Sequence, residues 1–364
     1  YKVKVMQYKN KLYIDGQWLD GTSGVTFDVI NPASEEVITK VASAEVEDAK
    51  KAINAAEIAF ESWAKVSPRD KSVILRKAYE LFMDKIEHFA ELITLENGKA
   101  YGDAKGEALY SAEFFRWYSE EAVRGIGQIS NAPATGARIV VQYKPIGISV
   151  LVTPWNYPAA MGTRKIAPAI AAGCPVIIKP ASETPLTMLE LMPLLEEAGV
   201  PKGLVAVLPS RNTSKLVDHL LHDNRVRLVS FTGSTEVGRK LLKVASDQVL
   251  KTSMELGGNA PLIVFDDADM ETAVEGCMVA KMRNLGEACT AANRIYVHEN
   301  IAEEFKDKFS KRMGSLKVGN GLDKSVDVGP LVNAETRDKV AYFVNDAIKK
   351  GAELSVGGHT INGA

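Results

Sequence analysis

The chain has 364 residues, 46% of them hydrophobic and 25% charged, the make-up of an ordinary globular protein of two or three domains at roughly 100–200 residues each. Its 44 Lys and Arg against 46 Asp and Glu leave a formal charge of -2, so no global basic field points to nucleic acid or to an anionic membrane. Three cysteines, Cys174, Cys277 and Cys289, lack CxxC or metal-ligand spacing, which argues against a disulfide scaffold and a metal site and for a reducing, cytoplasmic compartment. The longest apolar stretch, Ile166 to Ile178, is interrupted by Pro168, Gly173 and Pro175 and falls short of the roughly 18 residues of a spanning helix. The start, Tyr1-Lys2-Val3-Lys4, has neither the apolar run of a signal peptide nor an initiator Met and reads as a trimmed beginning.

In chain order, Lys11 to Trp18 and Thr26 to Ile30 read as short strands punctuated by Asp15-Gly16 and by Gly21-Thr22-Ser23-Gly24. Val46 to Trp63 places Ala49, Ala52, Ile53, Ala56 and Phe60 on one helical face, and Asp70 to Asn97 repeats that spacing as a single long helix. Tyr101 to Arg124 is a third helix, whose run Phe114-Phe115-Arg116-Trp117-Tyr118 suits helix packing better than ligand stacking. From Ile139 the pattern changes. Strands at Ile146 to Val152, Pro175 to Ile178, Leu204 to Leu208 and Arg227 to Phe231 alternate with helices at Ala159 to Ala172, Thr184 to Ala198, Ser214 to His222 and Thr235 to Ser246. Continuously apolar strands between helices predict an α/β fold with a parallel sheet covered on both faces, and in such sheets ligands bind at the carboxyl ends of the strands.

The loops at those ends carry the chemistry. Thr153-Pro154-Trp155-Asn156-Tyr157-Pro158 is stiffened by two prolines and aims the Asn156 amide as an oxyanion donor, or is simply a turn that enters a helix. Lys179-Pro180-Ala181-Ser182 offers a cation and a hydroxyl to a nucleotide ribose, or a solvated Lys. Thr232-Gly233-Ser234-Thr235-Glu236-Val237-Gly238 is a phosphate-binding turn or a plain N-cap, and the GxGxxG and Walker A patterns are absent from it. Glu255, between Met254 and Leu256 and before Gly257-Gly258, is a candidate general base with a raised pKa, or a surface Glu at a strand end. Cys289 is a candidate nucleophile, whereas Cys174 and Cys277 suit small buried hydrophobes.

Taken together and in order, Pro154-Trp155-Asn156-Tyr157-Pro158, Ile178-Lys179-Pro180-Ala181-Ser182, Phe231 to Gly238, Glu255-Leu256-Gly257-Gly258 and Gly286-Glu287-Ala288-Cys289-Thr290 resemble the aldehyde dehydrogenase superfamily over essentially the whole chain. The resemblance implies a Rossmann-type nucleotide-binding domain over 1–124 and 146–256, an oligomerisation hairpin over 125–145, and an α/β catalytic domain over 257–364 that stops short of the family's C-terminal part. It implies that Cys289 attacks the aldehyde, that Asn156 holds the oxyanion, that Glu255 activates the hydrolytic water and that Lys165 takes part in proton transfer. Thr153, Pro154, Trp155, Lys179, Ser182, Gly233, Ser234, Val237, Leu256 and Gly257 are the implied contacts of a nicotinamide cofactor. Ser182 stands where many NAD-preferring relatives carry Glu, and a small hydroxyl beside Lys179 admits a 2′-phosphate, so NADP is expected in preference to NAD. Arg164, nine residues before Gly173, and Arg283, six before Cys289, match positions that bind the distal carboxylate in succinate-semialdehyde dehydrogenases, unless either is taken up by an internal ion pair. Ala291 takes the place of a second cysteine, so the redox-switch disulfide of some relatives is not expected. The partners implied are a small-molecule aldehyde and further copies of the chain in a homodimer or homotetramer, with no nucleic acid and no membrane.

Overall fold

The computed structural model describes residues 8–134 and 136–361, and the start Tyr1 to Lys4 lies outside them. The chain divides into two compact units: the described residues of Tyr1–Val29, Thr39–Ile86 and Glu107–Glu255 form one, and those of Ile30–Ile38, Glu87–Gly106 and Leu256–Ala364 the other.

In the first unit, β1 (Leu12–Ile14) and β2 (Gln17–Leu19) form a hairpin whose turn places both Asp15 and Gly16 at positive φ. Further along the chain come β3 (Thr26–Ile30), β4 (Val37–Ala42), α1 (Val46–Trp63), α2 (Pro68–Asp84), α3 (Ile86–Asn97) and α4 (Tyr101–Glu121), of which Ile30 in β3, β4 as far as Ile38, α3 after Ile86 and α4 as far as Gly106 belong to the second unit. The single helix expected over Asp70 to Asn97 is in fact two. Lys85, at φ -112° and ψ 16°, ends α2, and the apolar spacing resumes in α3 after a one-residue break that periodicity does not register. The chain then runs through β5 (Gln128–Asn131), β6 (Arg138–Val141), β7 (Ile148–Val152), α5 (Ala160–Ala172), β8 (Val176–Lys179), α6 (Leu186–Ala198), β9 (Val205–Val207), α7 (Thr213–His222), β10 (Val226–Gly233), α8 (Thr235–Asp247) and β11 (Lys251–Leu256).

The central sheet has seven strands in the order β11-β10-β7-β8-β9-β1-β2, and β10, β7, β8 and β9 run parallel. Every residue of β7, β8 and β9 is buried, the pattern of strands covered on both faces. Because the register aligns Val152 with both Phe231 and Lys179, the loops after β7, β8 and β10 leave the sheet at one edge. β5 and β6 pair antiparallel as an isolated hairpin with all eight residues exposed.

Two local devices set the helix that follows β7. At its C-terminus, Gly173 adopts φ 89°, and the Cys174 N–H bonds to the Ala169 carbonyl at 2.8 Å while the Gly173 N–H bonds to Ile170 at 3.1 Å, a Schellman closure that requires the left-handed residue. At its N-terminus, Ala159 has no capping side chain of its own. The buried Glu107 carboxyl from α4 replaces it, accepting from the Ala159 and Ala160 N–H groups at 2.8 and 3.2 Å.

The second unit carries β12 (Ala260–Val264), α9 (Met270–Met282), β13 (Ala292–Val297), α10 (Ala302–Gly314) and α11 (Ala334–Lys349). β12 and β13 pair in parallel, and Val264, Val274, Cys277 and Phe305 are buried together at their centre. Among the described residues no helix is long and apolar enough to cross a membrane. Replacing Glu107 by Ala strips two buried helix N–H groups of their acceptor, so the thermal midpoint of unfolding should fall by the equivalent of ~2 kcal/mol, with Gln recovering part of it. Circular dichroism melts of both variants test this, and an unchanged midpoint in the Ala variant contradicts it.

Candidate functional site

Within the first unit, the loops at the carboxyl edge of the sheet are tied to one another. The Thr153 N–H donates to the Lys179 carbonyl at 3.2 Å, Thr184 Oγ1 donates to the Trp155 carbonyl at 3.4 Å, and Ser182 Oγ donates to the Ser210 carbonyl at 3.1 Å. Thr153 is buried, and Pro154, Trp155 and Asn156 are half-buried in front of α5. Lys179 is buried at the end of β8. Burial drives its pKa down to about 8, Glu183 opposes the shift and the neighbouring Arg211 adds to it. An anion bound beside Lys179 would raise that pKa and hold the charge.

Gly233 ends β10, and Ser234 caps α8 by accepting the Val237 N–H at 3.3 Å. The α8 N-terminus thereby opens from a strand end, with Ser234 and Val237 both exposed, as an anion-binding turn requires. Next to it, the buried Thr232 Oγ1 makes no hydrogen bond among the described residues. The donors and acceptors of these loops suit a ribose and its phosphates.

On α5, Lys165 is buried and donates to Ser230 Oγ at 2.6 Å. Burial lowers its pKa to about 8, Arg164 lowers it further and Glu255 pulls it up, so Lys165 gains and loses its proton near neutrality. Of the two settings the sequence offers for Glu255, the strand-end surface is the one observed: it is exposed on β11, the edge strand of the sheet.

Arg164 is half-buried and its partners are all neutral. Its guanidinium lies over the Phe114 ring at 5.4 Å, with Nη2 3.5 Å from Tyr110 Oη and Nη1 3.8 Å from Met161 Sδ. Among the described residues no carboxylate pairs with it, so the internal ion pair weighed for Arg164 is not formed. Phe114 of the α4 aromatic run thus packs against Arg164.

The second unit holds Leu256, Gly257, Arg283 and Cys289. Cys289 is exposed, whereas Cys174 and Cys277 are buried, as their sequence settings predict. The parallel pairing of Ala260 with Ala292 brings the segments before β12 and β13 side by side, and a Cβ on Gly258 would lie 3.8 Å from the Cys289 carbonyl oxygen. Arg294 fastens the two segments by donating from Nε and Nη2 to the Asn259 carbonyl at 3.1 and 2.7 Å. Gly257 stands exposed at this junction, with Leu256 half-buried before it.

Ahead of Cys289 the backbone is strained. Asn284, Leu285 and Gly286 take φ of 55°, 58° and 81° in succession, and a left-handed conformation at two non-glycine residues costs about 1–3 kcal/mol each. Buried Asn284 holds the strap in place. Its N–H donates to Asp103 Oδ2 at 3.0 Å, its Nδ2 donates to the Glu287 carbonyl at 3.1 Å, and its carbonyl accepts the Glu287 N–H at 2.8 Å.

Burial raises the pKa of Asp103, with the Asn284 N–H, Lys99 and Arg283 opposing the rise, so Arg283 shares an electrostatic neighbourhood with an acid of its own unit. Burial pushes Glu287 up to about 7 against the fully buried Lys99. Asp103, Lys99, Glu107 and Tyr110 were not singled out in the sequence. Their signal was faint: Asp103 and Glu107 lie four residues apart on α4, a helix that reads as packing alone. No cluster of three or more His, Cys, Asp or Glu side chains able to hold a metal occurs among the described residues.

The chain is similar to known proteins. A succinate-semialdehyde dehydrogenase of Paenarthrobacter nicotinovorans is 50% identical over 90% of this chain and 73% of its own length. A glutarate-semialdehyde dehydrogenase of Pseudomonas putida is 42% identical over 98% of this chain and 74% of its own. The crystal structure of an Escherichia coli NADP-dependent enzyme superposes with a TM-score of 0.96 at 40% identity, covering 98% of this chain and 74% of that one. The sequence profile of the aldehyde dehydrogenase family matches residues 18–364, and with these relatives it establishes that the chain belongs to the aldehyde dehydrogenase family.

Proposed function

We propose that this chain oxidises a short aldehyde bearing a distal carboxylate, succinate semialdehyde foremost, to the corresponding acid, using NADP in preference to NAD. The observation that carries the substrate reading is Arg164, a half-buried guanidinium whose partners are a ring, a phenol and a thioether. A cation left without an internal counter-ion is matched by an anionic ligand, and the planar fork of Arg fits a carboxylate. The names of the semialdehyde dehydrogenases it is similar to agree with this reading.

In this proposal Cys289 attacks the carbonyl carbon, and the Asn156 amide and the Cys289 N–H take up the developing alkoxide. A bound nicotinamide cofactor supplies the acceptor for the hydride that leaves the substrate carbon. Cys289 then carries the acyl group as a thioester. Glu255 removes a proton from the water that cleaves it, and the exposure of Glu255 leaves it open to that water. Lys165, hydrogen-bonded to Ser230 and electrostatically coupled to Glu255, shuttles protons near neutral pH.

Lys179 and Ser182 hold the ribose side, Ser234 and Val237 at the α8 N-terminus hold the phosphates, and Thr153, Pro154, Trp155, Gly233, Leu256 and Gly257 line the path. Arg283 is assigned as a second carboxylate contact. The two units correspond to a nucleotide-binding and a catalytic part. The exposed β5–β6 hairpin, with Ile129 at 74% and Val140 at 60% exposure, is assigned to self-association into a homodimer or homotetramer. The free cysteines fit a cytoplasmic setting.

Turnover of several aldehydes with NAD or NADP, followed by absorbance of the reduced nicotinamide, tests the assignment. Cys289→Ala should lower kcat by at least ~10³-fold while cofactor affinity, read by fluorescence titration, stays the same. Full turnover in that variant would refute the covalent route. Arg164→Ala should cut kcat/KM for succinate semialdehyde by roughly 10²-fold and that for hexanal little, whereas equal losses would refute carboxylate recognition. Introducing a carboxylate with Ser182→Glu should raise KM for NADP by ~10-fold or more and leave that for NAD within a factor of about three; parallel changes would count against the 2′-phosphate assignment.

A further inference from the structure

The sequence reads the run Phe114 to Tyr118 on α4 as packing; Tyr110, one turn before that run, is 39% exposed and stands against Phe114, with ring centroids 4.8 Å apart at 61°. That edge-to-face contact, four residues apart on one helix, fixes the direction of the phenol. Arg164 lies over the Phe114 ring and directs Nη2 at Tyr110 Oη, 3.5 Å away.

In this contact the guanidinium donates, because Arg has no acceptor. Tyr110 Oη therefore accepts a hydrogen bond from Arg164 and keeps its own hydroxyl hydrogen to donate. Among the described residues that proton has no acceptor, since the Arg164 contact is the hydrogen bond Tyr110 makes. The result is a paired set of donors without an acceptor: the remaining N–H groups of a guanidinium and, against them, one O–H on a rigid ring.

We propose that Tyr110 is a specificity-determining residue, whose phenolic O–H donates to the same distal carboxylate that Arg164 grips. This inference rests on the carboxylate-semialdehyde reading given above and adds to it a neutral donor from a different helix. One carboxylate oxygen then accepts from Arg164 and the other from Tyr110, so recognition extends across α4 and α5 rather than depending on one side chain. An aldehyde with an apolar tail satisfies neither donor and leaves both to water.

The test is Tyr110→Phe, which keeps the ring, its contact with Phe114 and the seat of Arg164, and removes only the hydroxyl. The ratio of kcat/KM for succinate semialdehyde over hexanal should fall by roughly 5–10-fold, through KM for the semialdehyde, with KM for NADP unchanged. The same fall should persist in an Arg164→Ala background, because a residue that acted only by propping Arg164 would have no effect there. An unchanged ratio in Tyr110→Phe, or loss of its effect in the Arg164→Ala background, overturns the proposal. If Arg164→Ala alone fails to separate the two aldehydes, the carboxylate reading itself falls; if Arg164→Ala separates them and Tyr110→Phe does not, only the role of Tyr110 falls.

Discussion

The contact on which the rest of the first unit turns is the Glu107 carboxyl at the head of α5. A helix that begins at Ala160 after Tyr157-Pro158-Ala159 has no Ser, Thr, Asp or Asn at its N-cap, and its first N–H groups are buried where water does not reach. A carboxyl oxygen from α4 supplies their acceptor, and in doing so it fixes the distance between two helices. The candidate residues of this part of the unit lie close to that contact along the chain: the Asn156 loop precedes the capped turn, Arg164 and Lys165 follow it by one turn, and Tyr110 and Phe114 stand one and two turns beyond Glu107 on α4.

The same economy governs the titrating groups. Lys165 and Lys179 are both brought to about 8, each chiefly by burial and each beside one acid that opposes the shift. Neither acid offsets the burial, so both lysines remain able to change charge state near neutrality. One sits at a strand end and the other on the helix behind the Asn156 loop, so the same pKa arises in two different settings.

Much of this was legible in the sequence. The apolar runs placed β7, β8 and β10 within a few residues of their observed bounds, because parallel strands buried on both faces have no polar positions to blur them. Asp15-Gly16 marked its hairpin, and the exposed thiol was told from the buried ones by its neighbours. The break at Lys85 was not legible, since one residue does not disturb a 3.6-residue period. Nor was the grouping of Ile30–Ile38 and Glu87–Gly106 with the C-terminal segment, which depends on contacts far apart in the chain. Arg164 was legible as a cation in a telling place, but its seat of ring, phenol and sulfur was not, because no spacing rule links residue 110 to residue 164. For Glu255 the sequence left two settings open, an apolar one and a strand-end surface, because flanking apolar residues say nothing about which strand forms the edge.

The parallel pairing of Ala260 with Ala292 has a consequence for how this region tolerates change. A ladder accepts displacement only in whole residues, about 3.3 Å at a time, and a single step turns each side chain to the opposite face. The thiol lies three residues ahead of its ladder partner, and the glycine pair two and three residues ahead of theirs. The register itself already shifts by one residue between Ala260 and Pro261, where the pairing passes from Ala292 to Arg294 and skips Asn293. One extra residue on the β13 side is thus taken up at the foot of the lead that carries Cys289, and the lead that carries the glycine pair has no such slack.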